Sequence, residues 1–477
     1  MLERGLLAHE VELTRQAEAF VRKNHRNEGG HDHSHVLAVT DYAIRIAQQT
    51  AEAADPFVVV MGALFHDLGR IGAANGLLHG LKGAAVAREW LYSTDVPGEV
   101  RERILKVIAR HTPTTGVPPE TVEERVVYDA DALDRLGIIG MLRGLMGRRG
   151  STGHIIEDRI QKRLGDYDRL HFAVSRRMGE ALHADTIEVV GRFREALEDE
   201  VRQLHRIPWP VSDGVEVPIP SLGEAAESEG AGDLTLAMAK VEAEAEIGTP
   251  RGHGVLTLHP RAGEAKPGSP RLSAREAALR ESVAKFVREN HSDQTAHDYA
   301  HVLTVVKNSL RIARSTREAT DPVVLLCGAL FHDIGWVAAE NGAEHGLRGA
   351  SLANEFLAST WLPEGTRASI RRVVVRHSFS SGQPPETAEE RIVWDADGLA
   401  GVGLIGVARG IIGGVGSMGD VIEACLRYAG KRAEYLHFEE SRRIAASLRA
   451  DSRSLIRRFV AALQQRKKQV ETLRLPI

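Results

Sequence analysis

Apolar residues recur along most of the chain every three or four positions, which is the spacing of one face of an α-helix. Val36, Val39, Ala43 and Ile46 share one such face. Segments in which apolar and polar residues alternate, as they do in a half-buried strand, are scarce. The pattern therefore predicts an all-α protein.

Two of the predicted helices have clear ends. Asp55–Pro56 and Asp321–Pro322 each provide an N-cap residue followed by proline at the first helical position. The helices that begin there are strongly apolar and run into the sequences FHDLG and FHDIG, in which glycine is the expected stop. This places His66–Asp67 and His332–Asp333 in the last turn of a buried helix.

The chain contains the same pattern twice. Six His or Asp residues of the first half recur in the second half after one constant shift of 266 positions, the interval from His35 to His301. The six pairs are His35 and His301, His66 and His332, Asp67 and Asp333, His79 and His345, His111 and His377, and Asp131 and Asp397. A constant shift over this length indicates an internal duplication.

The length of 477 residues is too great for one hydrophobic core and fits two domains of about 200 residues each. Residues 207–271 are rich in Pro, Gly, Ser and Glu, which predicts a largely irregular linker with one short helix at Leu234–Ile247. The predicted domains are therefore residues 1–206 and 272–477.

Charge and composition argue against several classes of partner. The net charge is −4 and no basic, aromatic-rich surface stands out, so a nucleic-acid partner is not expected. Arg409 interrupts the longest apolar run, residues 398–419, and the first residues lack an apolar signal core, so neither a membrane span nor export is expected. The two cysteines, Cys327 and Cys425, occupy unmatched positions and fit a cytoplasmic protein.

The six repeated residues have side chains that bind transition metals. Neighbouring residues of a helix point about 100° apart, so an ion held by His66 and Asp67 needs ligands from other helices. His35 and Asp131 are the expected ones. Asp131 and Asp397 are each predicted at the start of a helical segment. A set of imidazoles and carboxylates suits Mn, Fe, Co, Ni or Zn better than Ca.

The order His, His-Asp, Asp resembles that of the HD-domain metal-dependent phosphohydrolases, and it does so in both halves. More narrowly, the motifs HDHSH, FHDLG, RHT, DADALD and LHF resemble the small bacterial HD proteins of the YedJ and YpgQ type, as do their second-half counterparts HDYAH, FHDIG, RHS, DADGLA and LHF. The resemblance implies two all-helical HD bundles joined by the linker.

The resemblance also implies roles for individual residues. The implied metal ligands are His35, His66, Asp67, Asp131, His301, His332, Asp333 and Asp397, and Asp67 and Asp333 are also implied to be catalytic. The implied ligands of a second ion or of the substrate are His79, His111, His345 and His377. Lys82, Arg348 and Arg70, which follow these motifs, are candidate cations for binding substrate phosphate, with an exposed helical charge as the alternative. One or two divalent ions are expected in each domain, with Mg as a further candidate metal.

Some neighbouring residues are expected to act indirectly, and others depart from the family pattern. His31–Asp32 and His297–Asp298 are candidates to orient ligands or move protons, and Asp129 and Asp395 to support the ligands. The departures are Asp134, which becomes Ala400 in the second half, and Ala38 and Thr304, which stand where the narrow family carries an arginine. Whether both halves are active therefore stays open.

The function implied by the resemblance is hydrolysis of a phosphate ester or anhydride by a metal-activated water, with a small phosphorylated metabolite, above all a nucleotide, as substrate. Two alternatives remain. One is an oxygenase with two irons in each domain, and the other is a non-catalytic module that senses a nucleotide. Pairing of the two domains within one chain and association into a homo-oligomer are both compatible with the sequence.

Overall fold

The computed structural model describes residues 2–24, 32–70, 78–210, 271–291, 297–337, 344–414 and 416–477, without the side chains of 159–160 and 428–433. Within these ranges the regular structure is helical, and the one β-type contact is an isolated bridge between Leu2 and Ala54. The prediction of an all-α fold is confirmed. No helix in the described ranges is both long and apolar enough to cross a membrane.

The described part of the first half contains eight principal helices, which we number in chain order. They are α1 (Ala8–Asn24), α2 (His33–Gln49), α3 (Pro56–Phe65), α4 (His79–Tyr92), α5 (Gly98–Arg110), α6 (Val122–Asp134), α7 (Gly137–Leu145) and α8 (Ala173–Leu204). Short helical segments lie at Leu68–Arg70, Pro113–Thr115, Thr152–His154, Ile155–Ile160 and Gln161–Leu164.

The described residues of the second half repeat this order with nine helices. They are α9 (Ala274–Asn290), α10 (Tyr299–Ser315), α11 (Pro322–Phe331), α12 (His345–Ala358), α13 (Glu364–Arg376), α14 (Ala388–Ala400), α15 (Gly403–Ile412), α16 (Met418–Glu434) and α17 (Glu439–Glu471). Short 3-10 segments lie at Ile334–Val337 and Phe379–Ser381.

The predicted start of α3 is confirmed, but its end differs from the prediction. The Asp55 carboxylate accepts hydrogen bonds from the backbone of Phe57 and Val58, and Pro56 is the first helical residue. The helix ends at Phe65, so His66 is its C-cap and Asp67 lies in the following turn.

Gly69 does not end α3 through a left-handed conformation. It permits the close approach of α4 instead, because a Cβ atom at Gly69 would overlap the backbone of His79 and Gly83. The same relationship holds in the second half, where a Cβ atom at Gly335 would overlap the backbone of His345. These glycines thus set the distance between the His-Asp turn and the next histidine.

The predicted placement of Asp131 and Asp397 is wrong, because both lie near the end of a helix. The reason is a capping box in which Thr121 and Glu124 each accept a hydrogen bond from the other's backbone, so α6 begins at Val122. α6 ends at Asp134, and Gly137, at φ 68°, begins α7. Asp397 has the equivalent place in α14.

Three hydrophobic cores hold the described chain together. One is built from α1 to α6 and another from the equivalent helices of the second half. The third is shared by both halves, and the fully buried Phe193 of α8 and Phe459 of α17 lie within it. The shared core joins the halves through apolar contact.

The last long helix of each half continues into the other half. Leu204 and Ile207, at the end of α8, are buried in the second-half core, whereas Leu473 and Leu475, beyond α17, pack against the first-half core. The boundaries of the two predicted domains stay a prediction. Most of the predicted linker, including the helix at Leu234–Ile247, lies outside the described residues.

Candidate metal centres

The first cluster gathers side chains from five places in the fold. His35 lies in the first turn of α2, His66 and His111 cap the ends of α3 and α5, and His79 begins α4. Asp67 follows His66, and Asp131 comes from the end of α6. All six side chains are buried. The fold therefore brings together the six residues that the duplication singled out.

Asp67 stands between two pairs of histidines. Its Oδ2 atom lies 3.2 Å from Nε2 of His35 and 3.7 Å from Nε2 of His66. Its Oδ1 atom lies 3.4 Å from Nε2 of His79 and 3.9 Å from Nε2 of His111. One carboxylate thus offers one oxygen atom to each of two groups of potential ligands.

The backbone fixes the orientation of two of these histidines. Nδ1 of His66 donates to the carbonyl of Ala63 at 2.7 Å, and Nδ1 of His111 donates to that of Ile108 at 2.7 Å. A carbonyl oxygen only accepts, so in the neutral ring the proton is on Nδ1 and Nε2 carries a lone pair. The lone pairs of both rings are directed at the cluster.

The spacing of the donor atoms fits a bound cation. Nε2 of His66 lies 3.1 Å from Nε2 of His35, and Nε2 of His79 lies 3.0 Å from Nε2 of His111. Ligand atoms bound about 2 Å from a common ion lie about 3 to 4 Å from each other. Within each of the two groups centred on Asp67, the candidate ligand atoms lie within 4.8 Å of one another. The residues therefore fit one ion at each pair of histidines.

The second half repeats the arrangement around Asp333. Its Oδ2 atom lies 3.2 Å from Nε2 of His301 and 3.3 Å from Nε2 of His332, and its Oδ1 atom lies 3.6 Å from Nε2 of His345 and 3.5 Å from Nε2 of His377. These side chains are also buried. Both halves thus present the same pair of candidate metal positions.

The last carboxylate of the set is placed differently in the two halves. Asp131 Oδ1 lies 3.7 Å from Nε2 of His35, and Arg135 donates to Oδ2 of Asp131. Position 401, which is equivalent to Arg135, is glycine, and Asp397 Oδ1 lies 3.3 Å from Nε2 of His301. The second-half carboxylate is therefore drawn closer to the histidine.

Asp129 and Asp395 have a structural role and lie outside the clusters. Asp129 accepts hydrogen bonds from the backbone of His171 at 2.9 Å and of Phe172 at 3.1 Å. Asp395 does the same for His437 at 2.9 Å and Phe438 at 3.0 Å. They tie the turn before the last long helix to the helix that carries Asp131 or Asp397.

One of the three predicted substrate-binding cations lies at a cluster. Arg70 donates from Nε to Oδ1 of Asp67 at 2.7 Å. Lys82 is exposed on α4, and Arg348 pairs with Glu344 at 3.1 Å on the surface of α12. The sequence interpretation did not include Arg135, although its position four residues after Asp131 is a helical salt-bridge spacing.

The second cluster includes one further histidine. Nδ1 of His297 lies 2.8 Å from Oδ2 of Asp333, and the ring stacks on Trp336. His297, His301 and Asp333 together form a third group of potential ligands in this half. The equivalent residue of the first half, His31, lies outside the described residues.

Burial and nearby charge shift the pKa of three of the cluster imidazoles in opposite directions. Burial lowers the pKa of His66 and of His111 to about 4, so both are neutral at pH 7 and able to bind a metal. Burial also lowers the pKa of His301, but the carboxylates of Asp333 and Asp397 outweigh it and raise that pKa to about 9. The second cluster thus attracts positive charge strongly.

Comparison with known proteins identifies the same two regions. The family model described as HD domain matches residues 33–136 and 298–401. Both ranges contain all of the repeated His and Asp residues of their half.

Two curated proteins share part of the chain. The uncharacterized protein YpgQ of Bacillus subtilis (strain 168) is 31% identical over 129 residues, which are 26% of this chain and 60% of YpgQ. A tRNA (cytidine(56)-2'-O)-methyltransferase of Picrophilus torridus is 30% identical over 128 residues, which are 24% of this chain and 34% of that protein. The chain thus spans less than two thirds of the length of these relatives.

Two solved structures match a larger part of the chain. Bacillus subtilis YpgQ in complex with ADP is 23% identical, with a TM-score of 0.31, and the match covers 39% of this chain and 96% of that one. The Lin1889 protein of Listeria innocua is 21% identical, with a TM-score of 0.30, over 40% of this chain and 97% of its own.

Proposed function

Because the chain is a tandem HD-domain protein, we propose that it is a metal-dependent phosphohydrolase that cleaves a phosphate ester or anhydride of a small metabolite. The observation that carries the proposal is the position of Asp67, and of Asp333 in the second half, between two pairs of buried histidines. HD domains bind divalent metals, and these residues are the ligands that we assign.

The proposed chemistry combines metal binding with a buried, polar cluster. A divalent ion, when bound, lowers the pKa of its water and stabilises negative charge on the phosphoryl oxygens. Asp67, Asp131 and the four histidines would hold the ion or ions, and all of these side chains are buried. Arg70 and Arg135 lie beside Asp67 and Asp131, where a guanidinium group can also bind phosphate oxygens.

A nucleotide is the substrate class that we favour. The support is the solved complex with ADP of YpgQ, a protein that is 31% identical to this chain over 129 residues. The absence of a net positive charge argues against a long nucleic-acid substrate. We therefore place a small phosphorylated metabolite in the cluster.

The direct test is phosphate release from a panel of nucleotides and sugar phosphates, with Mn²⁺, Co²⁺, Ni²⁺, Zn²⁺ and Mg²⁺ supplied separately. Activity is expected in the wild type and in the single variants Asp67→Ala and Asp333→Ala if both halves are active, and no activity is expected in the double variant. Asp185→Ala, which removes a surface ion pair with Arg458, is the matched control. Undiminished hydrolysis by the double variant would refute the assignment.

The alternative of a di-iron oxygenase is favoured by one observation, the second pair of histidines facing Oδ1 of Asp67 and of Asp333. Two irons in each half, together with consumption of oxygen and no phosphate release, would support this alternative. Tight binding of a nucleotide without turnover under every metal would support a sensing module instead.

A further inference from the structure

The first histidine of each cluster is supported in a different way. Nδ1 of His35 donates to Oδ2 of Asp134 at 2.7 Å, and both side chains are buried. The position equivalent to Asp134 is Ala400. Nδ1 of His301 is buried and has no hydrogen-bond partner within the described part of the chain. One cluster therefore has a carboxylate behind its first histidine, and the other has none there.

Arginines from both halves hold Asp134. Arg143 of α7 donates to Oδ2 of Asp134 at 2.6 Å, and Arg466 of α17 donates to Oδ1. Arg466 belongs to the helix that crosses from the second half, and both arginines are buried. Charge-assisted hydrogen bonds of this kind are strong and directional. They fix the carboxylate that contacts His35.

In the second half the residue of the crossing helix is acidic instead of basic. The position equivalent to Arg466 is Glu200, which lies on α8 and crosses to the second half. Glu200 accepts hydrogen bonds from Arg409 at 3.1 Å and from Thr304 at 2.9 Å. The first half thus supplies the acidic partner of the buried Arg409, which is equivalent to Arg143. Glu200 contacts Arg409 and Thr304, and it makes no hydrogen bond with His301.

We propose that Asp134 is a positioning residue of the first centre, and that a divalent ion at His35 and His66 is bound more tightly than one at His301 and His332. The inference rests on the proposed function, because it takes both clusters as metal centres. A carboxylate at Nδ1 keeps the proton there, aims Nε2 and increases its basicity, and loss of such a partner weakens metal binding by about 10- to 100-fold.

Net charge alone predicts the opposite order. Asp134, Arg143 and Arg466 together carry one positive charge, whereas Glu200 and Arg409 balance each other. Long-range electrostatics therefore favours a cation in the second half. Arg70 and Arg135 also bring positive charge to the ligands Asp67 and Asp131 of the first centre, where the second half has Trp336 and Gly401. The hydrogen bond from His35 acts on a ligand itself and orients its lone pair, so we expect it to dominate.

Two variants that each keep one metal centre allow the two metal affinities to be compared. Asp333→Ala retains the first centre and Asp67→Ala retains the second. Each protein is freed of metal and titrated with Co²⁺, and binding is followed by calorimetry and by the visible absorption of the bound ion. The dissociation constant of the first centre is expected to be at least about 10-fold lower.

Exchange variants test the cause of the difference. Asp134→Ala with Arg466→Glu gives the first half the second-half pattern, and Ala400→Asp with Glu200→Arg does the reverse, so each buried arginine keeps an acidic partner. The first exchange should weaken Co²⁺ binding by about 10-fold and the second should strengthen it by a similar factor. The first exchange makes the surroundings of the centre more negative, and the second makes them more positive. Electrostatics alone would therefore strengthen Co²⁺ binding in the first case and weaken it in the second.

Thermal unfolding of the exchange variants checks that they fold, and Asp185→Ala is the control for a cross-half ion pair away from the clusters. Equal affinities of the two centres, or exchange variants that follow net charge, would overturn the inference and leave the proposed function intact. Failure of both single-centre chains to bind Co²⁺ would overturn the proposed function as well.

Discussion

Arg70 donates from Nε to Oδ1 of Asp67 at 2.7 Å. In the second half the indole Nε1 of Trp336 donates to Oδ1 of Asp333 at 3.1 Å, and the indole stacks between His297 and His345. The two residues make the same hydrogen bond to the central aspartate, but only the arginine brings a positive charge. The first centre is therefore better suited to a strongly anionic substrate.

This difference predicts a change in KM when Arg70 is replaced. In the chain that keeps only the first centre, Arg70→Trp should raise the KM for a phosphorylated substrate about 10-fold or more, because a hydrogen bond to a charged group contributes about 1.5 to 3 kcal/mol. Steady-state kinetics gives the measurement. Arg22→Ala, which removes an exposed pair with Glu18, is the control, and an unchanged KM in Arg70→Trp would contradict the prediction.

A second prediction concerns the glycine that lets α4 approach the His-Asp turn. Gly69→Ala should push His79 away from Asp67, because the added Cβ overlaps the backbone of His79 and Gly83. The expected result is loss of the ion at His79 and His111, with the ion at His35 and His66 retained.

The measurement is the number of Co²⁺ ions bound by the chain that keeps only the first centre. Gly191→Ala is the matched control, since a Cβ atom at that position meets nothing within 4 Å, and Ala is the better helix former. Retention of the full metal content by Gly69→Ala would show that the close approach does not position His79.

The shared core predicts that the halves unfold together. Phe193 is fully buried in it, and Phe193→Ala should lower the free energy of unfolding by about 3 to 5 kcal/mol. Denaturant unfolding followed by helical signal should show one transition for the wild type and one, at lower denaturant, for the variant. Ile187→Ala, at an exposed position of the same helix, should change little. Two separate wild-type transitions would contradict a common core.

The buried thiol of Cys327 predicts a pH effect of known sign. Burial raises its pKa to about 12 from an ordinary value of 9.0. The folded chain therefore keeps the thiol protonated while the unfolded chain ionises, so this contribution to stability is complete below pH 9 and is lost between pH 9 and about 12. Iodoacetamide at pH 8 should label Cys327 only after unfolding, and rapid labelling of the folded chain would contradict this.

The candidate ligands could be predicted from the sequence because the duplication repeats residue types in a fixed order. His35, the turn with His66 and Asp67, and Asp131 lie on separate elements, yet the fold brings them together with His79 and His111. The start of α3 was predictable for a local reason, since Asp55–Pro56 is itself the capping signal.

The positions that escaped prediction depend on longer-range structure. The start of α6 was misplaced although Thr121 and Glu124 have the spacing of a capping box, a signal that the sequence does contain. The contact of Arg466 with Asp134 depends on the path of α17 into the other half, which no local pattern specifies. The duplication does mark these two positions, because Arg466 and Glu200 are matched and carry opposite charges.

The most direct test of the central claim is the metal content of the chain, measured by mass spectrometry after purification without chelators or immobilised metal. The wild type is expected to contain divalent metal in both halves, with about two ions in each. The double variant Asp67→Ala and Asp333→Ala is expected to have lost most of it. A double variant with the wild-type metal content, or a wild type that binds no divalent metal, would contradict the account.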